Sequence, residues 1–169
     1  MRNRAGGLLI ENGHVLLMHR IKNVDGETRE YYVVPGGGME GEEDIETATK
    51  RELDEEMGIG VELLQESPLF TLEEERGNQY FSLVKKVSGE VGTGTGPEFN
   101  DPSYANRGVY SVEFVSIQDI IDGKINMVPE KIKEEFISAI MELGKPLEEI
   151  NSNDLVKKES VLVKEKNYR

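Results

Sequence analysis

The chain has 169 residues, a formal net charge of −13 and no cysteine. That length suffices for one domain with its own core. The absence of cysteine excludes a disulfide framework and thiol chemistry, and the acidic balance argues against a general nucleic-acid binder, which needs a basic footprint. No apolar run approaches the roughly 18 residues of a membrane span, and no leader pattern opens the chain, so a soluble, cytoplasmic protein without a membrane partner is expected.

Arg4–Ile10 and His14–Arg20 are short apolar runs joined by Glu11-Asn12-Gly13. Asn-Gly between two such runs is a strong hairpin signal. Residues 21–28 are polar, contain Asp25-Gly26, and read as a loop. Arg29–Val34 is a strand that delivers the chain to the glycines at 36–38.

A helix follows. Asp44 is its expected N-cap, Glu46 sits in the first turn, and Gly58 is the expected stop. It ends in Arg51-Glu52-Leu53-Asp54-Glu55-Glu56. Glu52 and Glu56 are four apart and Glu52 and Glu55 three apart, so the three carboxylates share one face. Unscreened, such pairs repel by about 0.2–0.5 kcal/mol each. A sequence that crowds them this way suits a divalent cation, since Mg²⁺ takes oxygen ligands and uses one or two carboxylates beside a substrate phosphate. Gly36-x-Gly38-x-x-Gly41 has the spacing of a dinucleotide fingerprint, but Glu42, Glu43, Asp44 and Glu46 crowd the helix start, where a pyrophosphate needs bare N–H groups.

Val61–Leu72 reads as extended, with a bulge or edge at Ser67-Pro68. Glu73–Asn78 is an acidic turn, and Gln79–Val87 alternates as a strand. Ser88–Gly108 is a long irregular segment containing Gly92-Thr93-Gly94-Thr95-Gly96-Pro97, a length that marks a functional or mobile loop. It is not a P-loop, because the Lys-Ser/Thr ending is missing. Val109–Val115 is a further strand, and Ser116 caps a short helix to Ile121. A second long helix should run from Pro129 to Leu143, stopped by Gly144 and Pro146, with Ile132, Phe136, Ala139, Ile140 and Leu143 facing the core. The tail from Pro146 is charged and poorly periodic, and Val161–Val163 could add a short strand. The expected organisation is one domain over 1–145 and a tail over 146–169 that offers a contact for a homodimer. Strands, one helix, strands and a C-terminal helix make an α/β fold with a mixed sheet covered by helices.

The stretch Gly37–Ile59 resembles the Nudix box, G-x5-E-x7-R-E-U-x-E-E-x-G-U with U aliphatic. Every fixed position is filled: Gly37, Glu43, Arg51, Glu52, Leu53, Glu55, Glu56, Gly58 and Ile59. The resemblance covers residues 4–143 and implies an α/β/α sandwich. It also implies a hydrolase of Nudix (MutT-like) type, one that cleaves a phosphoanhydride bond in a nucleoside diphosphate linked to another moiety. The cofactor implied is Mg²⁺ or Mn²⁺. On this resemblance Glu52, Glu55, Glu56 and the Gly37 carbonyl are metal ligands, and Glu52 is the first candidate for general base. Glu98 in the long loop is the distant candidate, as the alternative base or as an extra ligand. Arg51 orients the carboxylates through a bidentate bridge, with Glu43 as the partner. Arg4 and Arg20 on the first hairpin, and Arg107 in the long loop, are candidate phosphate contacts. Tyr32 and Phe81 suit the core better than a base-stacking role. A (deoxy)nucleoside triphosphate is the expected substrate. An ADP-ribose or nucleotide-sugar hydrolase and a non-catalytic nucleotide sensor are the alternatives. Position 74 is glutamate where ADP-ribose hydrolases tend to carry proline, and retention of all three box glutamates argues against a sensor.

Overall fold

The computed structural model describes residues 2–96, 108–156 and 161–164. The chain opens with β1 (Arg4–Glu11) and β2 (His14–Val24), joined at Asn12-Gly13 with φ of 48° and 78°. Two successive left-handed residues make the tight turn whose twist matches antiparallel strands. Strand β2 continues past Arg20, and the expected loop at 21–28 is a second hairpin. Its ladder with β3 (Glu27–Val33) runs from Met18↔Val33 to Val24↔Glu27, and Asp25 and Gly26 repeat the left-handed pair.

The chain then makes β4 (Gly36–Gly38), α1 (Ile45–Met57) and β5 (Ile59–Leu63). Helix α1 forms where the sequence places it. The Asp44 carboxylate accepts the Thr47 N–H at 2.7 Å, and Gly58, with φ 75°, donates its N–H to the Asp54 and Leu53 carbonyls. Instead of a bulge, Ser67-Pro68 lies in a connection between β5 and a separate strand, β6 (Phe70–Glu74). Both pair antiparallel with the long β7 (Gly77–Gly89). After β8 (Val109–Ser116) come α2 (Ile117–Ile121), β9 (Met127–Val128) and α3 (Glu130–Glu142). Ser116 holds the N-cap position of α2 without a side-chain cap bond, and Pro129 stands one residue before α3 as its N-cap.

Among the described residues ten strands, ending with β10 (Val161–Lys164), form one mixed sheet in the order β10-β6-β7-β1-β2-β3-β9. Strand β4 is added on β1, β5 on β7 and β8 on β2. Strand β1 is the hinge of the arrangement: Arg4–Leu9 run parallel to Gln79–Val84, while Ile10 and Glu11 pair with β2. Its apolar run is continuous because both faces are covered. Leu8, Ile10, Val15, Leu17 and Leu83 face a core completed by Ile132, Phe136 and Ile140 of α3. Leu9, Leu16, Met18 and Val84 face Leu53 and Met57 of α1. The α/β/α sandwich with a mixed sheet is therefore present, and Tyr32 and Phe81 are buried in the α3-side core.

The C-terminal segment packs on the sheet. Two short 3₁₀ turns, Leu147–Glu149 and Ser152–Leu155, bring Ile150 and Leu155 into the α3-side core. The buried Ser152 hydroxyl accepts the Ile10 N–H at 2.7 Å. The expected strand at Val161–Val163 forms, and it pairs in parallel with β6 of its own chain. Leu155 is 1% exposed, so Leu155→Ala should cost about 2–5 kcal/mol in urea unfolding. A loss under about 0.5 kcal/mol, the range of ordinary surface substitutions, would show that this segment does not contribute to the core.

Candidate functional site

The flank of α1 beside its buried Leu53 and Met57 carries the acidic face, and the glycine strand β4 runs beside it. Together with Arg4 of β1, Arg20 of β2 and Tyr110 of β8 they enclose a cleft of about 420 Å³. Gly37, Arg51, Glu52, Glu55 and Glu56 line it together with Arg4, which is paired with Gly38 of β4, and Arg20. The structure thus brings seven of the nine sequence-predicted site residues into one place. Glu98 and Arg107 lie outside the described residues.

Arg51 ties the site together. Its Nε and Nη2 donate to the two Glu43 carboxylate oxygens at 2.8 and 2.9 Å, the planar bidentate pairing that guanidinium geometry favours. Nη2 also donates to the Gly38 carbonyl at 3.1 Å, and Nη1 to Glu52 at 2.9 Å and Glu55 at 3.4 Å. One cation therefore joins the glycine loop to the carboxylate face and offsets the repulsion among the glutamates. Hydrogen bonding to Glu43, then to Glu52, raises the Arg51 pKa and keeps the guanidinium charged. Glu43 responds in the opposite sense. The Arg51 hydrogen bond, then the Glu40 N–H, draws its carboxyl from an ordinary 4.5 down to about 2.

This shift predicts a pH dependence. A depressed carboxyl contributes stability that is complete above its unfolded pKa and is lost as pH falls through its folded pKa. The stability gap between the parent protein and Glu43→Gln should stay constant from neutral pH to about 4.5 and close towards about 2. Chemical denaturation at a series of pH values checks this, and a gap that closes above pH 4.5 contradicts it.

Depth separates the carboxylates. The Glu52 side chain is 12% exposed and Glu55 is 41% exposed, so Glu52 sits at the floor and Glu55 nearer the mouth. Glu56 reaches β4, where its Oε1 accepts the Gly36 N–H at 2.7 Å. Gly37 leaves no room for a side chain, since an added Cβ would stand 2.5 Å from Glu52 Oε1. The last carbonyls of α1 are held from beyond β7: the Gly92 N–H donates to Met57 O and the Gly96 N–H to Glu55 O.

Among the described residues, no three acidic or histidine side chains stand as a ready-made cation cage. The donor set still suits a hard divalent cation, because it is all oxygen, sits in one cleft, and faces arginines able to hold a phosphate. An Mg²⁺-type ion needs only one or two carboxylates when substrate and water complete its shell.

Arg2 and Tyr110 also belong to the cleft, without a local sign of it in the sequence. Arg2 lines the cleft and donates to the Met39 carbonyl at 3.2 Å and more weakly to Gly38 O. Tyr110 of β8 lies across from Arg20. Alternation within β8 indicates that Tyr110 and Val112 share a face, but which face meets the cleft depends on the pairing of β8 with β2, which is not a local signal.

The family model described as NUDIX domain matches residues 1–136. No curated protein matches the chain. Among solved structures, a hydrolase of the NUDIX family from Clostridium perfringens superposes with a TM-score of 0.59 at 17% identity, covering 85% of this chain and 98% of that one. An ADP-ribose pyrophosphatase from Streptococcus suis gives 0.57 at 15% identity over 97% and 98%. A MutT protein from Bacillus halodurans gives 0.51 at 22% identity over 80% of each chain. At these identities the likeness is one of fold. The family match runs from β1 into α3, over most of the chain and across the whole glutamate helix, and on that ground the chain belongs to the Nudix family of hydrolases.

Proposed function

We propose that the cleft hydrolyses a phosphoanhydride bond of a (deoxy)nucleoside triphosphate with the help of Mg²⁺ or Mn²⁺. One observation carries the reading: three carboxylates on α1 and the guanidinium groups of Arg4 and Arg20 line the same cleft of about 420 Å³. Carboxylates alone repel a polyphosphate and arginines alone hold one without cutting it; the pair of features provides for both. The Glu52, Glu55 and Glu56 side chains and the Gly37 carbonyl would hold the cation. Bound there, the ion neutralises phosphate charge and makes a water molecule more acidic.

The remaining roles fall to the chain's own groups. Glu52, on the cleft floor and oriented by Arg51, accepts the proton of the attacking water. As the water oxygen bonds to phosphorus, the anhydride P–O bond breaks and its electron pair leaves on the departing phosphate oxygen. Glu98 is the alternative proton acceptor. Arg51 touches carboxylates and the loop carbonyl, so its part is to position them. Arg4 and Arg20 bind the phosphates, joined by Arg107. In a chain of net charge −13 these local cations must offset a field that repels an anionic substrate. Among the described residues no helix is long and apolar enough to cross a membrane.

The test is a hydrolysis panel with Mg²⁺ or Mn²⁺ containing nucleoside triphosphates, ADP-ribose, nucleotide sugars and dinucleoside polyphosphates. The reading predicts that a triphosphate is cut fastest, to a nucleoside phosphate and the complementary inorganic phosphate product. Faster cleavage of ADP-ribose or a nucleotide sugar would replace the substrate and keep the chemistry. Tight nucleotide binding without turnover would make the protein a sensor.

A further inference from the structure

Arg20 is the middle residue of a three-strand row. Its register partner on β3 is Tyr31 and its register partner on β8 is Tyr110. Side chains at directly paired positions lie on the same face of a sheet. That is the α1-facing side, because Met18, two residues before Arg20, and Tyr110 itself belong to the core under α1. The guanidinium carbon stands 3.9 Å from the centroid of the Tyr110 ring and 5.8 Å from that of Tyr31. The guanidinium carbon therefore sits over the Tyr110 ring at contact distance, whereas the contact with Tyr31 lies at the outer limit of a cation–π interaction. Arg20 and Tyr110 both line the cleft that holds Glu52, Glu55 and Glu56.

A guanidinium stacked on a ring is held by its π face, while its N–H donors lie in its own plane. Stacking thus fixes the direction of the donors without competing for them. An unrestrained arginine must give up side-chain rotamer freedom when it grips a phosphate, whereas one already held by a ring has less to give up.

We propose that Tyr110 is a positioning residue of the cleft: its ring holds the Arg20 guanidinium flat so that the in-plane N–H groups meet a phosphate of the bound nucleotide. This rests on the assignment of the cleft as a nucleotide site. It adds that affinity for the anionic part of the substrate is set by a pair of residues on adjacent strands, with Tyr110 acting through Arg20. The cost of losing the ring falls on substrate binding, because the stack is present before and during the reaction alike.

The experiment is a double-mutant cycle of Tyr110→Leu and Arg20→Ala. It is read in two ways: KM and kcat for the best substrate of the panel, and Kd for ADP with Mg²⁺ by calorimetry. Tyr110→Leu should raise KM and the ADP Kd about tenfold with a much smaller change in kcat. Tyr110→Phe, which keeps the ring face, should restore most of the lost affinity. In the Arg20→Ala background Tyr110→Leu should add almost nothing, since the residue it acts through is gone. Additive effects would overturn the inference by showing that Tyr110 acts independently of Arg20. So would a kcat loss that Tyr110→Phe fails to restore, or ADP binding that is absent or indifferent to Tyr110→Leu. Turnover without coupling sinks this inference and leaves the hydrolase reading in place. Coupling in the ADP Kd without turnover does the reverse.

Discussion

Replacing Glu56 by glutamine is expected to lower kcat by at least about 100-fold while the protein stays folded. The structure separates these two consequences. Glu56 Oε1 accepts the Gly36 N–H at 2.7 Å, a bond that ties α1 to β4. The amide oxygen of glutamine can accept the same N–H, so the tie and the packing around it survive. What disappears is a negative charge in the cleft, and with it an oxygen donor suited to a divalent cation. An uncharged amide is a far weaker partner for such an ion, and the lost interaction is with charge that the reaction depends on. Steady-state kinetics with Mg²⁺, together with thermal unfolding of both proteins, give the two readouts. Full turnover in Glu56→Gln would remove this residue from the site. Loss of folding would show that the helix-to-strand tie needs the charge itself.

Gly37→Ala is expected to lower kcat by about 10- to 100-fold with only a small change in stability. Gly37 is not among the glycines in the left-handed region, so its backbone can accept alanine. The obstacle is contact: the new Cβ would lie 2.5 Å from Glu52 Oε1 and 2.6 Å from Glu52 Cδ and Oε2. Glu52 must then move, and moving breaks its 2.9 Å bond from Arg51. A misplacement of about 1 Å in a reacting group can cost about 100-fold. Because the damage passes through Glu52, the double variant Gly37→Ala, Glu52→Gln should be no worse than Glu52→Gln alone. Additive losses would place the role of Gly37 elsewhere, in β4 or in its own carbonyl.

The parts of this protein that were legible in the sequence are those whose information is local. Asp44, Gly58 and the glutamates at 52, 55 and 56 lie within one helix, so its caps and its acidic face follow from spacing. Glu43 and Arg51 are eight residues apart, and their bridge is nearly as local. The Asn12-Gly13 hairpin is another such case. Asp25-Gly26 carries the same turn signal, yet the sequence around it reads as a loop. Its flanks, Lys22-Asn23 and Glu27-Thr28-Arg29, are polar, because the outer end of β2 is only half-buried and that of β3 exposed, and the two are joined by their backbone ladder.

The C-terminal segment was harder for the opposite reason. Ile150 follows one 3₁₀ turn and Leu155 ends the other, both turns are too short to show a period, and the bond beside them joins Ser152 to Ile10, 142 residues away. Tyr110 and Arg2 are illegible on the same principle. Their places in the cleft follow from strand pairing and from the path of the N-terminus across β4, neither of which leaves a mark in neighbouring residues.

The central claim is that the acidic face of α1 holds a divalent cation for a nucleotide. It is tested most directly by titrating Mn²⁺ into chelator-treated protein and following the free ion by electron paramagnetic resonance, with and without ADP, in the parent and in Glu56→Gln. Mn²⁺ should bind the parent, and more tightly when ADP is present, and binding should weaken at least about tenfold in the variant under both conditions. Equal Mn²⁺ binding by parent and variant, with or without ADP, would contradict it.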